Sequence, residues 1–165
     1  MRRALDPNAL GDHIDRLYRA AWGLCGSRED AEDLVQETYA RVISRPRLLR
    51  KDDDLGYLLR TLRNVHIDMR RADSRRPALA TLPLDDRLAD ERSAALPEQA
   101  LETAQVYRAI AGLPDAFREV IVAVDLVGLS YREAAKALGT KEGTVMSRLY
   151  RARERVVIAL EGAPA

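Results

Sequence analysis

Apolar residues recur along this chain at intervals of three and four, the spacing that places them on one face of an α-helix. The pattern predicts a first helix over residues 10–25, a second that begins after Ser27, and a third over residues 55–71. Gly26 suits the end of the first helix, and Pro46 ends the second because proline cannot continue a helix. The second helix is predicted to bury a stripe at i, i+3, i+4, i+7 and i+11 that comprises Ala31, Leu34, Val35, Thr38 and Val42.

The C-terminal part of the sequence predicts a short helix, a tight turn and a second, basic helix. Ser130 followed by Glu133 is a capping box, which marks the start of a helix. Gly139 suits the left-handed conformation that ends a helix, and Thr140 is placed to cap the next one. The last helix is predicted to bury Val145, Leu149, Ala152 and Val156. This is the pattern of a helix-turn-helix, whose second helix fits the major groove of DNA, and a surface hairpin with a solvated basic face would show it as well.

These elements predict an all-α protein with two small helical domains joined by a flexible linker, the C-terminal domain carrying the helix-turn-helix. The first predicted domain spans residues 1–74 and the second spans residues 99–165. Residues 75–98 are rich in Ala, Asp and Pro and lack helical periodicity, which is typical of a linker. Each domain is close to the lower size limit for a core that folds alone.

The net charge of +1 hides two basic segments separated by an acidic one. Residues 41–76 carry eleven basic and five acidic side chains, residues 131–155 carry seven and three, and residues 77–105 carry two and six. Two basic segments indicate two separate contacts with a phosphate backbone. The single cysteine and the two distant histidines give no support for a disulfide or a zinc site. No apolar run approaches the ~20 residues of a membrane span, so we expect a cytoplasmic protein without membrane insertion.

The last helix carries a specific resemblance. The segment from Gly143 to Arg153 resembles the second-helix signature of extracytoplasmic-function (ECF) sigma factors. The resemblance implies that this helix reads the upstream, minus-thirty-five promoter element, with Arg151 on a base and its flanking arginines on phosphates. Met146 departs from the family, which usually carries Lys or Arg there. The residues assigned to this element are Lys141, Thr144, Met146, Ser147, Arg148, Tyr150, Arg151 and Arg153.

The second predicted helix has an acidic face opposite its buried stripe. A solvated surface is the default interpretation of such a face. The segment from Asp30 to Glu37 also resembles the stretch with which sigma factors grip the clamp helices of RNA polymerase. The resemblance implies a polymerase-binding surface made of Asp30, Asp33, Leu34, Gln36 and Glu37.

The third predicted helix and the loop before it resemble the unit of ECF sigma factors that reads the downstream, minus-ten element. In the family this loop captures a base flipped out of the duplex, a step that costs a few kcal/mol and that a fitting pocket promotes. Arg and Asn side chains on the helix can each form two hydrogen bonds to the edge of one base. His66 is predicted to be a packed histidine without a catalytic role. The residues assigned to the minus-ten element are Leu49, Arg50, Tyr57, Arg60, Asn64, Asp68 and Arg71.

The resemblance covers about residues 10–160 and implies an ECF-type sigma factor, which binds core RNA polymerase and directs it to specific promoters. It implies core polymerase, promoter DNA and an anti-sigma factor as partners, and no catalytic residue, metal or cofactor. The alternative is a stand-alone helix-turn-helix transcriptional regulator of LuxR type, which would lack the polymerase-binding surface. An enzyme is a third class, and the sequence offers no paired nucleophile and base to favour it.

Overall fold

The computed structural model describes residues 2–50, 53–75 and 97–162, which form two helical units. The N-terminal unit consists of β1 (Arg2–Ala4), a 3-10 helix (Pro7–His13), α1 (Ile14–Cys25), α2 (Arg28–Ser44), β2 (Leu48–Arg50) and α3 (Asp54–Arg75). The C-terminal unit consists of α4 (Pro97–Ala111), α5 (Asp115–Ile121) with a π-helical turn (Val122–Leu126) after it, α6 (Tyr131–Leu138) and α7 (Glu142–Glu161). The fold class is therefore the predicted one, all-α in two units. Most of the predicted linker lies outside the described residues.

The ends of α1 and α2 are set by the residues that the sequence singled out. Gly26 has φ of 81°, the left-handed conformation that only glycine adopts easily, and its N–H donates to the carbonyl of Trp22. The Ser27 side chain then accepts a hydrogen bond from the backbone of Asp30 at 3.3 Å, which caps α2. All five residues of the predicted stripe of α2 are buried, so that prediction is confirmed.

The two short strands were not predicted. β1 pairs with β2 in antiparallel register, and the pairs are Arg2 with Arg50, Arg3 with Leu49 and Ala4 with Leu48. A strand of three residues is too short to show the alternation of polar and apolar positions by which strands are recognised. The chain before the first helix is thereby attached to the loop before α3.

The helix-turn-helix of the C-terminal unit follows the predicted signals, with one correction. Ser130 and Glu133 make both hydrogen bonds of the capping box, and Gly139 has φ of 66°. Thr140 does not cap α7: its N–H donates to the carbonyl of Ala135, so it closes α6 instead. Helix α7 begins one residue later, after an extended Lys141 that makes no side-chain capping bond. The predicted stripe of α7 is buried as expected.

The two units pack against each other, a contact that the sequence did not predict. Helix α1 lies on α4, α5 and the π-helical turn, and α3 lies on α6. The rings of Trp22 and Tyr107 stack with 3.8 Å between their centroids and 7° between their planes. Gly23 allows this approach, since a Cβ atom there would lie 2.5 Å from Leu126 Cδ1 and 3.1 Å from Val122 Cγ2.

Charged pairs border the apolar contact between the units. Arg63 Nε donates to Glu119 Oε1 at 2.6 Å, and this pair is the most shielded from water of those that join the units. The Lys136 ammonium reaches Asp53 at 2.7 Å, and both groups are partly exposed. Exposed pairs of this kind stabilise a contact by at most about 1 kcal/mol, so the stacked rings and the apolar packing dominate.

Candidate nucleic-acid interface

Helix α7 presents its predicted reading face to solvent. Met146 is 52% exposed and Tyr150 is 73% exposed. Ser147 and Arg151 are exposed on the same side, and Thr144 is half-buried. The buried stripe on the opposite side holds the helix in this orientation. The face therefore offers hydroxyl, thioether and guanidinium groups together to a groove of DNA.

One of the cations assigned to phosphate is already paired. The guanidinium of Arg153 makes two hydrogen bonds to the carboxylate of Asp125, at 2.6 and 2.9 Å. These bonds raise the pKa of Arg153 above its ordinary value. While the pair holds, Arg153 is less available to a phosphate than the exposed Arg151. This pair was not predictable from local patterns, because Asp125 lies 28 positions away from Arg153.

The predicted minus-ten residues on α3 become more exposed to solvent toward the C-terminal end of the helix. Asn64, Asp68 and Arg71 are exposed, whereas Tyr57 and Arg60, nearer the start of the helix, are half-buried. Asp68 accepts a hydrogen bond from Arg41 of α2 at 2.9 Å, a partner that the sequence reasoning missed. Asn64 is the member of this face with an exposed amide that is suited to bidentate hydrogen bonds with a base.

Two assigned residues are buried and are corrected here. Leu49 lies in β2 between two exposed residues, and it is itself buried, with 8% of its surface exposed. Leu34 of α2 is completely buried at 0%. Neither side chain can contact a partner in this conformation, because other residues cover both. Leu34 and Leu49 support the surfaces above them, whereas Arg50, beside Leu49, is exposed.

The acidic face of α2 is open to solvent. Asp30, Asp33, Gln36 and Glu37 are all exposed. The last three line a wide, shallow groove with Met69 and Ala72 of α3. A third carboxylate of the groove, Asp68, is paired with Arg41. Together with the apolar residues, the carboxylates of Asp33 and Glu37 form a surface that suits a partner with both basic and apolar side chains.

The closed arrangement covers part of the minus-ten face. A cleft of about 380 Å³ lies between the start of α3 and α6, and it is lined by Arg3, Arg16, Arg60, Asp53, Asp54 and Lys136, among others. Helix α6 therefore stands over the end of α3 that carries Arg60. The groove beside the acidic face of α2 shares no lining residue with this cleft. Asp68 of the predicted minus-ten face lines the same groove as Asp33, Gln36 and Glu37, so the predicted surfaces of α2 and α3 adjoin.

The titratable groups of the core do not form a catalytic or metal-binding arrangement within the described ranges. No group of three or more His, Cys, Asp or Glu side chains there could hold a metal ion. Burial raises the pKa of the Cys25 thiol to about 12, so the reactive thiolate is absent at neutral pH. Burial, with Arg118 and Arg70 nearby, lowers the pKa of His66 to about 4. His66 is thus a packed, neutral histidine, as its sequence position predicted. Residues 2–50, 53–75 and 97–162 contain no helix long and apolar enough to cross a membrane.

These features define a two-unit helical protein with a helix-turn-helix and a separate acidic surface, and comparison with known proteins gives the same class. The family model for sigma-70 region 2 matches residues 10–76, and the model for sigma-70 region 4 matches residues 103–156. The two matches follow each other in the order of the two structural units.

Relatives of known family extend the match over most of the chain. The ECF RNA polymerase sigma factor SigE of Mycolicibacterium smegmatis is 39% identical over 149 residues, which cover 87% of this chain and 57% of that protein. SigM of Mycobacterium tuberculosis, also an ECF RNA polymerase sigma factor, is 34% identical over 145 residues, which cover 87% of this chain and 71% of that protein. The chain thus spans little more than half of SigE and over two thirds of SigM. The chain belongs to the ECF RNA polymerase sigma factor family.

Solved structures show the same fold. The sigma factor RpoE of Bartonella quintana, in complex with the anti-sigma factor NepR, aligns with a TM-score of 0.67 and 25% identity over 95% of this chain and 97% of that one. CnrH, in complex with the cytosolic domain of CnrY, aligns with a TM-score of 0.63 and 24% identity over 95% of this chain and 88% of that one. Both alignments include the two helical units.

Proposed function

We propose that this chain binds core RNA polymerase through the acidic face of α2 and directs it to promoters that α3 and α7 read. The exposed face of α3 and the loop before it read the minus-ten element, and α7 reads the minus-thirty-five element. Residues 1–74 and 99–165 are then the two working units. The chain makes no bond itself in this proposal, since the polymerase performs the chemistry, and it acts in the cytoplasm without a cofactor.

The observation that carries this proposal is the exposed acidic face of α2 in a chain whose helices α3 and α7 expose basic side chains. Asp33 and Glu37 lie one helical turn apart, both exposed, above the buried Leu34. A regulator that acts on DNA alone has no use for such a surface, and a phosphate backbone would repel it. Both matched family models describe sigma-factor regions, which also disfavours the LuxR-type alternative.

The proposal is tested by reversing the charge of this face. Asp33→Arg with Glu37→Arg should abolish co-purification with core polymerase, because both side chains are exposed and would then repel a basic partner surface. The matched control is Glu98→Arg with Glu102→Arg, which reverses two exposed carboxylates one turn apart on α4. We expect the control to bind core polymerase like the parent chain. Equal binding by all three proteins would contradict the assignment of the α2 face.

The proposal includes an anti-sigma factor as a second protein partner. Its support is the likeness of both units to the sigma factor RpoE, which was solved in complex with the anti-sigma factor NepR. An anti-sigma factor that contacts the α2 face should compete with core polymerase. The Arg variants at positions 33 and 37 would then lose both partners together.

A further inference from the structure

The N-terminal strand β1 is hydrogen-bonded to the loop that the proposed function assigns to the minus-ten element. Arg2, Arg3 and Ala4 stand opposite Arg50, Leu49 and Leu48 in the ladder. Pairing with β1 leaves the inward-facing Leu49 buried and the flanking Arg50 exposed. The shape of this side of the loop is therefore fixed by a segment that lies before the matched family regions, which begin at residue 10.

A charged contact attaches the same strand to the other end of the loop. Arg3 Nη2 donates to Asp54 Oδ2 at 2.6 Å, and Asp54 is the first residue of α3. The Asp54 side chain is only 10% exposed, while that of Arg3 is 45% exposed. The second carboxylate oxygen, Oδ1, is buried without a hydrogen-bond partner among the described residues. Arg3 thus provides the one side-chain hydrogen bond seen at a largely buried carboxylate, and its loss would leave that charge uncompensated.

We infer that β1 and its Arg3 position the minus-ten loop, so that the N-terminal segment is part of the minus-ten reading unit. The strand holds one side of the loop through backbone pairing, and Arg3 holds the other side through the start of α3. Arg3 acts as a positioning residue, because it works through Asp54 and the loop. This inference rests on the proposed function and deepens it.

The physical reason is preorganisation. A loop that accepts an unstacked base must hold its shape while the base enters. If the loop becomes ordered only on binding, the entropy cost of that ordering lowers the affinity for the base. The described part of the loop has few other attachments: the N–H of Asp53 donates to the carbonyl of Arg50, and Asp53 pairs with Lys136 of the other unit. The Lys136 contact depends on the packing of the two units, whereas the β1 pairing and the Arg3–Asp54 contact lie within the N-terminal unit. The strand is thus the attachment of the loop that does not depend on the other unit.

The test compares promoter melting with initial promoter binding in holoenzyme made from the full chain and core polymerase. Permanganate reactivity measures open complexes, and gel shift measures initial binding. Arg3→Ala and Asp54→Asn should each reduce open complexes roughly threefold to tenfold, the range expected for a half-buried ionic hydrogen bond. Initial binding should change little. The double variant should be no worse than the more affected single variant, because both remove one interaction.

Three further variants separate positioning from charge and from general stability. Arg3→Lys keeps the cation and should restore most of the activity. Arg2→Ala removes the same charge from the same strand without touching Asp54 and should stay close to the parent. Deletion of residues 2–4 should lower melting further and broaden the bases selected from a randomised minus-ten element. Normal melting and unchanged base selection in Arg3→Ala and in the deletion variant would overturn the inference. A parent holoenzyme that melts no promoter would instead refute the proposed function, so the two failures are distinguishable.

Discussion

Substitution of Gly23 gives a direct test of the contact between the two units. Gly23 lies inside α1, where glycine is unfavourable by about 1 kcal/mol relative to alanine. Its position against the C-terminal unit explains why it is there. Gly23→Ala should stabilise α1 as a helix and at the same time weaken the closed arrangement.

The magnitude follows from the three nearest atoms. An added Cβ would lie 2.5 Å from Leu126 Cδ1, 3.1 Å from Val122 Cγ2 and 3.6 Å from Ile110 Cγ2, all in the C-terminal unit. Overpacking of this kind costs typically about 1–3 kcal/mol. Leu126 is half-buried and its Cδ1 is the end of a flexible side chain, so the lower part of that range applies to alanine. A loss of about 1.4 kcal/mol lowers the ratio of closed to open chains tenfold. Gly23→Leu, which adds three further carbons, should open nearly all molecules.

Small-angle scattering measures the opening on the full chain. A compact chain of 165 residues has a radius of gyration of about 15 Å, and separation of the units must increase it. The matched control is Gly56→Ala in α3, because a Cβ atom at Gly56 would meet nothing within 4 Å. The control should gain stability in urea without a change in size.

The radius should rise in the order parent, Gly23→Ala, Gly23→Leu. If Gly23→Ala behaves like Gly56→Ala, with higher stability and an unchanged radius, then Gly23 is not a contact point and the reasoning about this interface is refuted.

Three other substitutions test the reading surfaces and the core. Asn64→Ala should reduce permanganate-detected open complexes more than initial promoter binding, and equal losses would mean that Asn64 only positions the backbone. Met146→Arg should shift the preference for one or two adjacent base pairs in selections of randomised minus-thirty-five sequences, whereas tighter binding to the same sequence would place this side chain on the backbone. His66 has its pKa lowered from 6.5 to about 4, first by burial and then by Arg118, so the unfolded chain takes up its proton at the higher pH. The free energy of unfolding should therefore be fully retained above about pH 6.5 and fall as the pH drops toward 4. In urea unfolding, His66→Leu should flatten this dependence on pH. If the free energy of unfolding of His66→Leu falls with pH as steeply as that of the parent, other groups cause the dependence.

The local signals of the sequence predicted the helices and most of their caps. The capping box at Ser130, the left-handed Gly26 and Gly139, and the buried stripes of α2 and α7 all appear in the structure. These features depend on residues a few positions apart, which is the range over which periodicity and capping act. Thr140 was misassigned because the turn after Gly139 uses its backbone N–H to close α6.

Contacts between distant residues were not predictable from these signals. The Trp22–Tyr107 stack, the pairing of β1 with β2, and the Arg153–Asp125 pair each join positions that no local pattern links. The burial of Leu49 was not predictable either, because a strand of three residues is too short to show which side chain faces inward. The assigned surface residues, in contrast, came from the family resemblance together with the predicted helix faces, and most of them are exposed.

Run-off transcription with purified core RNA polymerase tests the central claim most directly. The full chain is added to core enzyme with a library of promoter fragments, beside the Asp33→Arg, Glu37→Arg variant and its Glu98→Arg, Glu102→Arg control. The account predicts transcripts that start at specific promoters with the parent and the control, and none with the α2-face variant. It is contradicted if the parent binds DNA specifically on its own and yet supports no promoter-specific transcript with core enzyme, the behaviour of a stand-alone regulator.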